Sequence, residues 1–306
     1  MSLYPMKMSN ITVSRLWGGT RLWHEWGFIP NGDNIAEAWV LSCREDAMSR
    51  AENGEHAGKP LSELTDKSFP LLIKLIDAKQ KLSVQVHPDD DCAAANGERD
   101  TGKNEMWYIL DADEGAEIVY GLKEGVSVSD FLDAAKDGKG DSLLNFVPVK
   151  AGDCFYIPAG LVHGIGGGIL LAEIQQNSDL TYRLYDYGRR DKNGKLRELH
   201  TEKGKAATRA FTDDMIYSLR YEHGKDGDLC LANNRYFRTD LLIVTDEEKT
   251  VAASDSFRCL LSVKGNAEII YNNEQYVIGK GDTYFLPAGL GDCRIRGNAE
   301  ILIATV

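Results

Sequence analysis

The sequence predicts a mainly β protein made of two tandem small β-barrels with a few short helices, and three observations carry that expectation. The stretch Gly152-Asp153-Cys154-Phe155-Tyr156-Ile157-Pro158-Ala159-Gly160 returns as Gly281-Asp282-Thr283-Tyr284-Phe285-Leu286-Pro287-Ala288-Gly289, at a constant offset of 129 residues. Helical periodicity is thin, and short apolar runs bounded by turn residues dominate. After about residue 236 almost everything reads as strand and turn. A Gly-Asp turn, an apolar strand and a Pro-x-Gly corner suit a strand entering and leaving a small barrel, and two such units suggest two related barrels in tandem.

In chain order the expected strands are Pro70 to Ile76, Leu82 to His87, Met106 to Leu110, Ile118 to Tyr120, Cys154 to Ile157 and Ile169 to Ile174. Helices are expected at Ser129 to Lys136, where a polar cap precedes apolar residues, and at Glu202 to Ala210. Asn193-Gly194 marks a hairpin turn between Tyr182–Tyr187 and Leu196, and Asn272-Asn273 marks another. The repeat divides the chain into an amino-terminal unit over residues 1–230 and a second over 231–306.

Composition excludes several function classes. The chain has 306 residues, 43% hydrophobic and 27% charged, which is the mix of a folded protein with a substantial core. Thirty-five basic against 47 acidic residues give a net charge of −12, unsuited to tracking nucleic-acid phosphates or binding an anionic membrane surface. Six scattered cysteines, none in a C-x-x-C pair, fit a reducing compartment. Residues 154–172 contain no Asp, Glu, Lys or Arg, but Pro158, His163 and five glycines make them short strands and turns rather than a membrane helix. No apolar leader is visible at the start, so the expected location is cytoplasmic.

The two copies of the repeat differ at one telling place. Three residues after Gly160 stands His163, and three after Gly289 stands Asp292. A residue present in one copy alone behaves as part of a site. Upstream, Gln85 and His87 in Leu82-Ser83-Val84-Gln85-Val86-His87 alternate with valines, so a strand turns both donors to one face. Glu105 opens another expected strand. Any of these alone has an ordinary structural reading, Glu105 beside Lys103 included. Together, two imidazoles and two oxygen donors suit zinc or another divalent first-row metal.

Longer motifs sharpen this reading. Gly152-x5-Pro158-x-Gly160-x2-His163 resembles the second motif of the cupin superfamily, whose fold implies two tandem cupin-type (jelly-roll) β-barrels. Arg15-Leu16-Trp17-Gly18-Gly19, Glu37-Ala38-Trp39, Pro70-Leu71-Leu72-Ile73-Lys74, Gly102-Lys103-Asn104-Glu105-Met106-Trp107-Tyr108 and Gln176-Asn177-Ser178-Asp179-Leu180-Thr181-Tyr182-Arg183 follow in order. With them the chain resembles the type I mannose-6-phosphate isomerases of the short bacterial kind from about residue 10 to residue 306. Ala36 departs from the glycine that many relatives carry there, and the polar stretch after Arg189 is less typical.

The resemblance implies one zinc per chain on Gln85, His87, Glu105 and His163, and interconversion of mannose 6-phosphate and fructose 6-phosphate through an enediol. The second barrel, with no such donors, is expected to act as a structural cover or an interface. Aldose–ketose isomerisation needs a base, charge stabilisation and a phosphate anchor. Arg183 matches the family's catalytic arginine. Glu173, alone in an apolar run, requires a partner or a raised pKa if buried. Lys103 and Lys74 are open to use as base, proton shuttle or phosphate contact, and Ser83 shares the Gln85/His87 face. Catalytic roles are thus expected of Arg183, Glu173 and Lys103, and substrate contacts of Lys74 and Ser83. The expected partner is a small sugar phosphate, with no nucleic acid and no membrane, in a monomer or homodimer. The competing reading is a non-catalytic cupin that only binds a sugar phosphate.

Overall fold

The computed structural model describes residues 3–65, 69–190, 193–211, 218–220, 229–245 and 247–306. Its first feature is the repeat itself. Gly152 and Gly281 both take positive φ, 90° and 89°, which a side chain would strain. The Asp153 carboxylate then accepts the Lys150 amide at 3.0 Å, and Asp282 accepts the Gly279 amide at 2.9 Å. Each corner is closed alike, by Leu161 N–H on Pro158 carbonyl at 3.1 Å and by Leu290 N–H on Pro287 carbonyl at 3.2 Å. The same turn chemistry therefore launches and ends a strand in both halves, Asp153–Ile157 and Thr283–Leu286.

The amino-terminal half is two opposed antiparallel sheets. One has seven strands in the order Ser218–Arg220, Asp153–Ile157, Glu105–Ala112, Ile169–Gln176, Leu71–Ala78, Glu37–Leu41, Ile11–Val13. The other has five, in the order Leu144–Pro148, Glu117–Leu122, His163–Gly164, Val84–Val86, Tyr182–Tyr185. Between them pack Trp107, Ile109, Ile118, Tyr120, Phe155, Ile157 and Leu171. Every residue of Leu71–Ala78 and Ile169–Gln176 is buried. The reason is that the outer face of this sheet meets the carboxy-terminal half through Leu71, Ile73, Leu75, Met106 and Tyr108 on one side and Leu241, Leu261, Phe285 and Leu302 on the other. Such double burial favours near-continuous apolar runs over alternation.

The carboxy-terminal half is one eight-stranded sheet folded upon itself. Arg258–Tyr271 and Gly291–Thr305 are long enough to pair with different neighbours at their two ends, and the ladder shifts register between Ser262 and Lys264. Asn272 and Asn273, at φ 49° and 65°, form the expected two-residue turn into Glu274–Gly279. Met6–Met8 joins this sheet from the far end of the chain, with Met6 opposite Phe285.

The expected strands are present with edges moved by at most two residues. Both expected helices form, at Val128–Lys136 and Thr201–Ala207. The first starts earlier than expected because Ser127 and Asp130 make a reciprocal capping box, and it buries Phe131 and Leu132. The Asn193-Gly194 turn lies under a single bridge between Arg190 and Leu196, since the preceding strand already ends at Tyr185. Among the described residues no helix is long and apolar enough to cross a membrane.

Candidate metal centre

Strand register brings the donors together. Gln85 lies opposite His163 on one neighbouring strand and opposite Arg183 on the other. Glu105 begins the strand that crosses the facing sheet, opposite Ile157 and Gln175. His87, Glu105 and His163 are all buried, and their donor atoms lie within 4.8 Å of one another. His87 Nε2 is 3.5 Å from Glu105 Oε2, and His163 Nε2 is 3.6 Å from Glu105 Oε1. Gln85 completes the group with its amide nitrogen 3.3 Å from His163 Nε2. For Gln85 to offer its oxygen to a cation, that amide turns about its last torsion.

The donor chemistry fits a divalent cation. His87 Nδ1 and His163 Nδ1 each donate to a backbone carbonyl, of Leu180 and Leu161 respectively, both at 2.8 Å. That fixes the tautomer and leaves the Nε2 lone pairs turned to the shared centre. His87 Nε2 and Glu105 Oε1 are buried without a hydrogen-bond partner, an arrangement that is costly unless something else satisfies them. Burial, with the Lys103 charge, lowers the His87 pKa, and burial, with His87, pushes His163 down to about 3. Burial opposes the Glu105 charge, but Lys103 and the two imidazoles outweigh it and hold the carboxyl well below its usual range. Two neutral imidazoles and one carboxylate are the protonation states that coordination requires.

Over this centre lies a pocket of about 300 Å³. Its lining includes Ser83, Gln85, Lys74, Lys103, Glu173 and Arg183, so the structure gathers the sequence-derived candidates at one place. Lys103 Nζ sits 2.7 Å from Glu105 Oε2 and 3.7 Å from Glu173 Oε1. Burial works against the Lys103 charge, yet Glu105, Glu173 and Asp179 together push its pKa upward. Glu173 receives the Trp107 indole N–H at 3.0 Å, and burial with the Glu105 charge pushes its pKa up to about 7. Lys74 is buried rather than reaching out to solvent, as a lysine at a strand edge would. It lies 3.5 Å from Glu37, 3.8 Å from Glu173 and 4.6 Å above the Trp39 ring. Ser83 Oγ is 3.5 Å from Gln85 Oε1. Arg183 donates to the Glu198 carbonyl at 2.9 Å and keeps a buried Nε without a partner.

Sequence reasoning missed Arg15, Glu37, Asp179 and Arg197, which also line this pocket. Arg197 is held by Asp186, with its Nε 2.7 Å from the carboxylate. Five cations thus face three carboxylates in a chain of net charge −12, which marks the pocket for an anion. Arg15 and Trp17 owe their place to the two glycines that follow. A Cβ on Gly18 would stand 2.7 Å from that of Ala36, and one on Gly19 2.3 Å from the Asp77 carboxylate. That carboxylate caps the short helix Arg21–His24 through Arg21 N–H at 2.7 Å. A larger cleft of about 820 Å³ beside Tyr120–Val128 contains none of the converging donors.

Comparison with known proteins accords with this geometry. Residues 6–131 match the model of the phosphomannose isomerase type I catalytic domain, and residues 229–306 that of the mannose-6-phosphate isomerase cupin domain. The chain is 35% identical to mannose-6-phosphate isomerase ManA of Bacillus subtilis, with 99% of both chains covered. The chain belongs to the type I mannose-6-phosphate isomerases. It is likewise 35% identical to the mannose-6-phosphate isomerase of Streptococcus mutans over 97% of each chain. The crystal structure of the Bacillus subtilis mannose 6-phosphate isomerase superposes with a TM-score of 0.89 at 32% identity, covering 99% of each chain. Family membership makes this protein an isomerase with a cupin-type fold. The Ala36 departure has a local meaning too: its methyl is fully buried where Gly18 leaves room for it.

Proposed function

We propose that this isomerase interconverts mannose 6-phosphate and fructose 6-phosphate with one zinc held by Gln85, His87, Glu105 and His163. Residues 1–230 then form the catalytic unit. Residues 231–306 form a cover whose repeat carries Asp292 where the catalytic copy carries His163. The observation that carries the reading is the buried cluster of His87, Glu105 and His163, with His87 Nε2 and Glu105 Oε1 partnerless, next to Gln85 and Lys103 of a cationic pocket.

When bound, the zinc supplies a Lewis acid and a fixed point for orienting the sugar oxygens. The protein's own groups move the proton. Glu173, with a pKa raised to about 7, takes it from the carbon beside the carbonyl and returns it to the neighbouring carbon. Lys103, held cationic by Glu105 and Glu173, faces the negative charge that develops on the enediol oxygen. Arg183 adds a planar fork whose Nε is still free to bond substrate oxygen. Lys74 and Ser83 contact the sugar, and the more exposed Arg15 and Arg197 receive the phosphate at the mouth.

The test is a pair of variants, Gln85→Ala and His163→Ala, assayed for bound zinc and for turnover of mannose 6-phosphate. The reading requires zinc and turnover to fall together. Turnover retained without metal would overturn it.

A further inference from the structure

Asn104 stands between Lys103 and Glu105 and points the opposite way, into the seam with the Pro158-Ala159-Gly160 corner. It is buried, and all its hydrogen-bonding atoms are engaged. Its Oδ1 accepts Ala159 N–H at 3.0 Å and Tyr156 O–H at 3.1 Å, and its Nδ2 donates to Gln176 Oε1 at 2.8 Å. Gln176 Oε1 also accepts the Asn104 backbone N–H at 2.8 Å, and Gln176 N–H donates to the Asn104 carbonyl at 3.1 Å.

The backbone ladders explain why an amide is needed there. The paired register ends at Ile157 opposite Glu105 on one side and at Gln175 opposite Glu105 on the other. Pro158 has no N–H to continue the first ladder. Asn104 Oδ1 takes the place of a strand carbonyl and holds Ala159 one step beyond the last rung. The corner so fixed does two things for the metal donors. Gly160 N–H holds the His87 carbonyl at 2.8 Å, and the Leu161 carbonyl orients the His163 ring at 2.8 Å.

We infer that Asn104 is a positioning residue of the metal centre, joining the strand of Glu105 to the corner that sets His87 and His163. No other common side chain of this length supplies two acceptances and one donation without charge. The inference rests on the metal reading above and adds to it a named support outside the ligand set.

The experiment titrates zinc against a competing chelator in Asn104→Ala, Asn104→Asp and a control, Ile295→Ala, which opens the carboxy-terminal core at a fully buried site. Asn104→Ala is expected to weaken zinc binding by about 10- to 100-fold, the range typical of groups that orient ligands. It is expected to lower kcat with KM little changed. Asn104→Asp keeps both acceptances, loses the donation and sets a buried carboxylate oxygen against Gln176 Oε1, so it too is expected to weaken zinc binding. It decides the matter should Asn104→Ala fail to fold. The control is expected to lower Tm with zinc affinity within about twofold, since it leaves the ligand support intact. Native protein that binds zinc while the Asn104 variants match it within twofold overturns this inference alone. Native protein that binds no zinc overturns the metal reading and this inference together.

Discussion

Glu173 and Lys74 are direct cross-strand partners, with Lys74 Nζ 3.8 Å from Glu173 Oε1. The lysine nevertheless fails to keep the carboxyl at its ordinary acidity, because burial and the Glu105 charge push it up to about 7. Lys74 divides its charge among Glu37, Glu173 and Asp179. A fold optimised for stability alone would not hold a carboxylate in that position. A site that must accept and return a proton near neutrality does.

Glu173→Gln keeps the shape and removes the titration. Turnover is expected to fall by about 10²- to 10⁴-fold. In the native enzyme kcat/KM is expected to rise with pH through about 7 as Glu173 loses its proton and becomes the base. The residual rate of the variant should lack that limb. A variant that keeps both native turnover and the native pH profile would rule Glu173 out as the base.

Stability should move the other way. The folded-state pKa of Glu173 is raised from 4.5 to about 7, so the folded protein binds more protons than the unfolded chain between those values. Its contribution to stability is full below pH 4.5 and lost as pH rises through about 7. Glu173→Gln is expected to raise Tm at pH 8 relative to the native protein and to change it least near pH 4.5. Thermal melts at the two pH values check this.

Removal of the metal should lower both activity and Tm, since a ligand of the folded state alone stabilises it by mass action. Chelation followed by added zinc is expected to restore both. Glu105→Gln should mimic chelation, because it weakens the donor between two imidazoles while Lys103 stays beside it. Undiminished turnover after exhaustive chelation would count against every ligand assignment.

Arg183→Lys retains charge and loses the fork. With one guanidinium nitrogen on the Glu198 carbonyl and Nε free in the pocket, the lysine can make only one of the two contacts. A drop in kcat of about tenfold or more is expected, corresponding to a charged hydrogen bond of roughly 1.5–3 kcal/mol. Arg197→Leu should instead raise KM for mannose 6-phosphate, with kcat little altered.

Gly19→Ala tests the approach of the amino-terminal loop. Its methyl would press on the Asp77 carboxylate that caps Arg21–His24, and a loss of about 1–3 kcal/mol is expected by denaturant melts. Arg15 and Trp17 would shift with it, so KM should rise as well.

Much of this was legible in the chain because the signals were local. Gly152 and Gly281 need positive φ, and their repetition announced the two halves. Gln85 and His87 needed only the alternation of a strand to share a face. Arg15 and Asp179 stand in motifs that carry the resemblance, but neither they nor Arg197 leave a local trace of a role, because each reaches the pocket from its own loop and owes its role to partners far along the chain. Asn104 lay within a motif that the family resemblance highlighted, but its work depends on Gln176 and Ala159, which no spacing rule connects. Ser129, closer to the apolar residues, masks Ser127 as the cap in the sequence. The three residues of Met6–Met8 are too few to carry a period.

That short strip has a bearing on how the protein is made. Met6–Met8 pairs nearby along one edge, with Glu52 N–H on the Lys7 carbonyl at 2.8 Å, but its other edge pairs with Thr283–Leu286 and must wait until that distant strand has followed. Its sulfur-bearing side chains are exposed to other partners throughout that interval, a moment when unpaired edges invite aggregation. Residues 229–306 produced as a separate piece would lack this strip at the open side of their sheet, and supplying it as a short peptide in trans is the natural remedy.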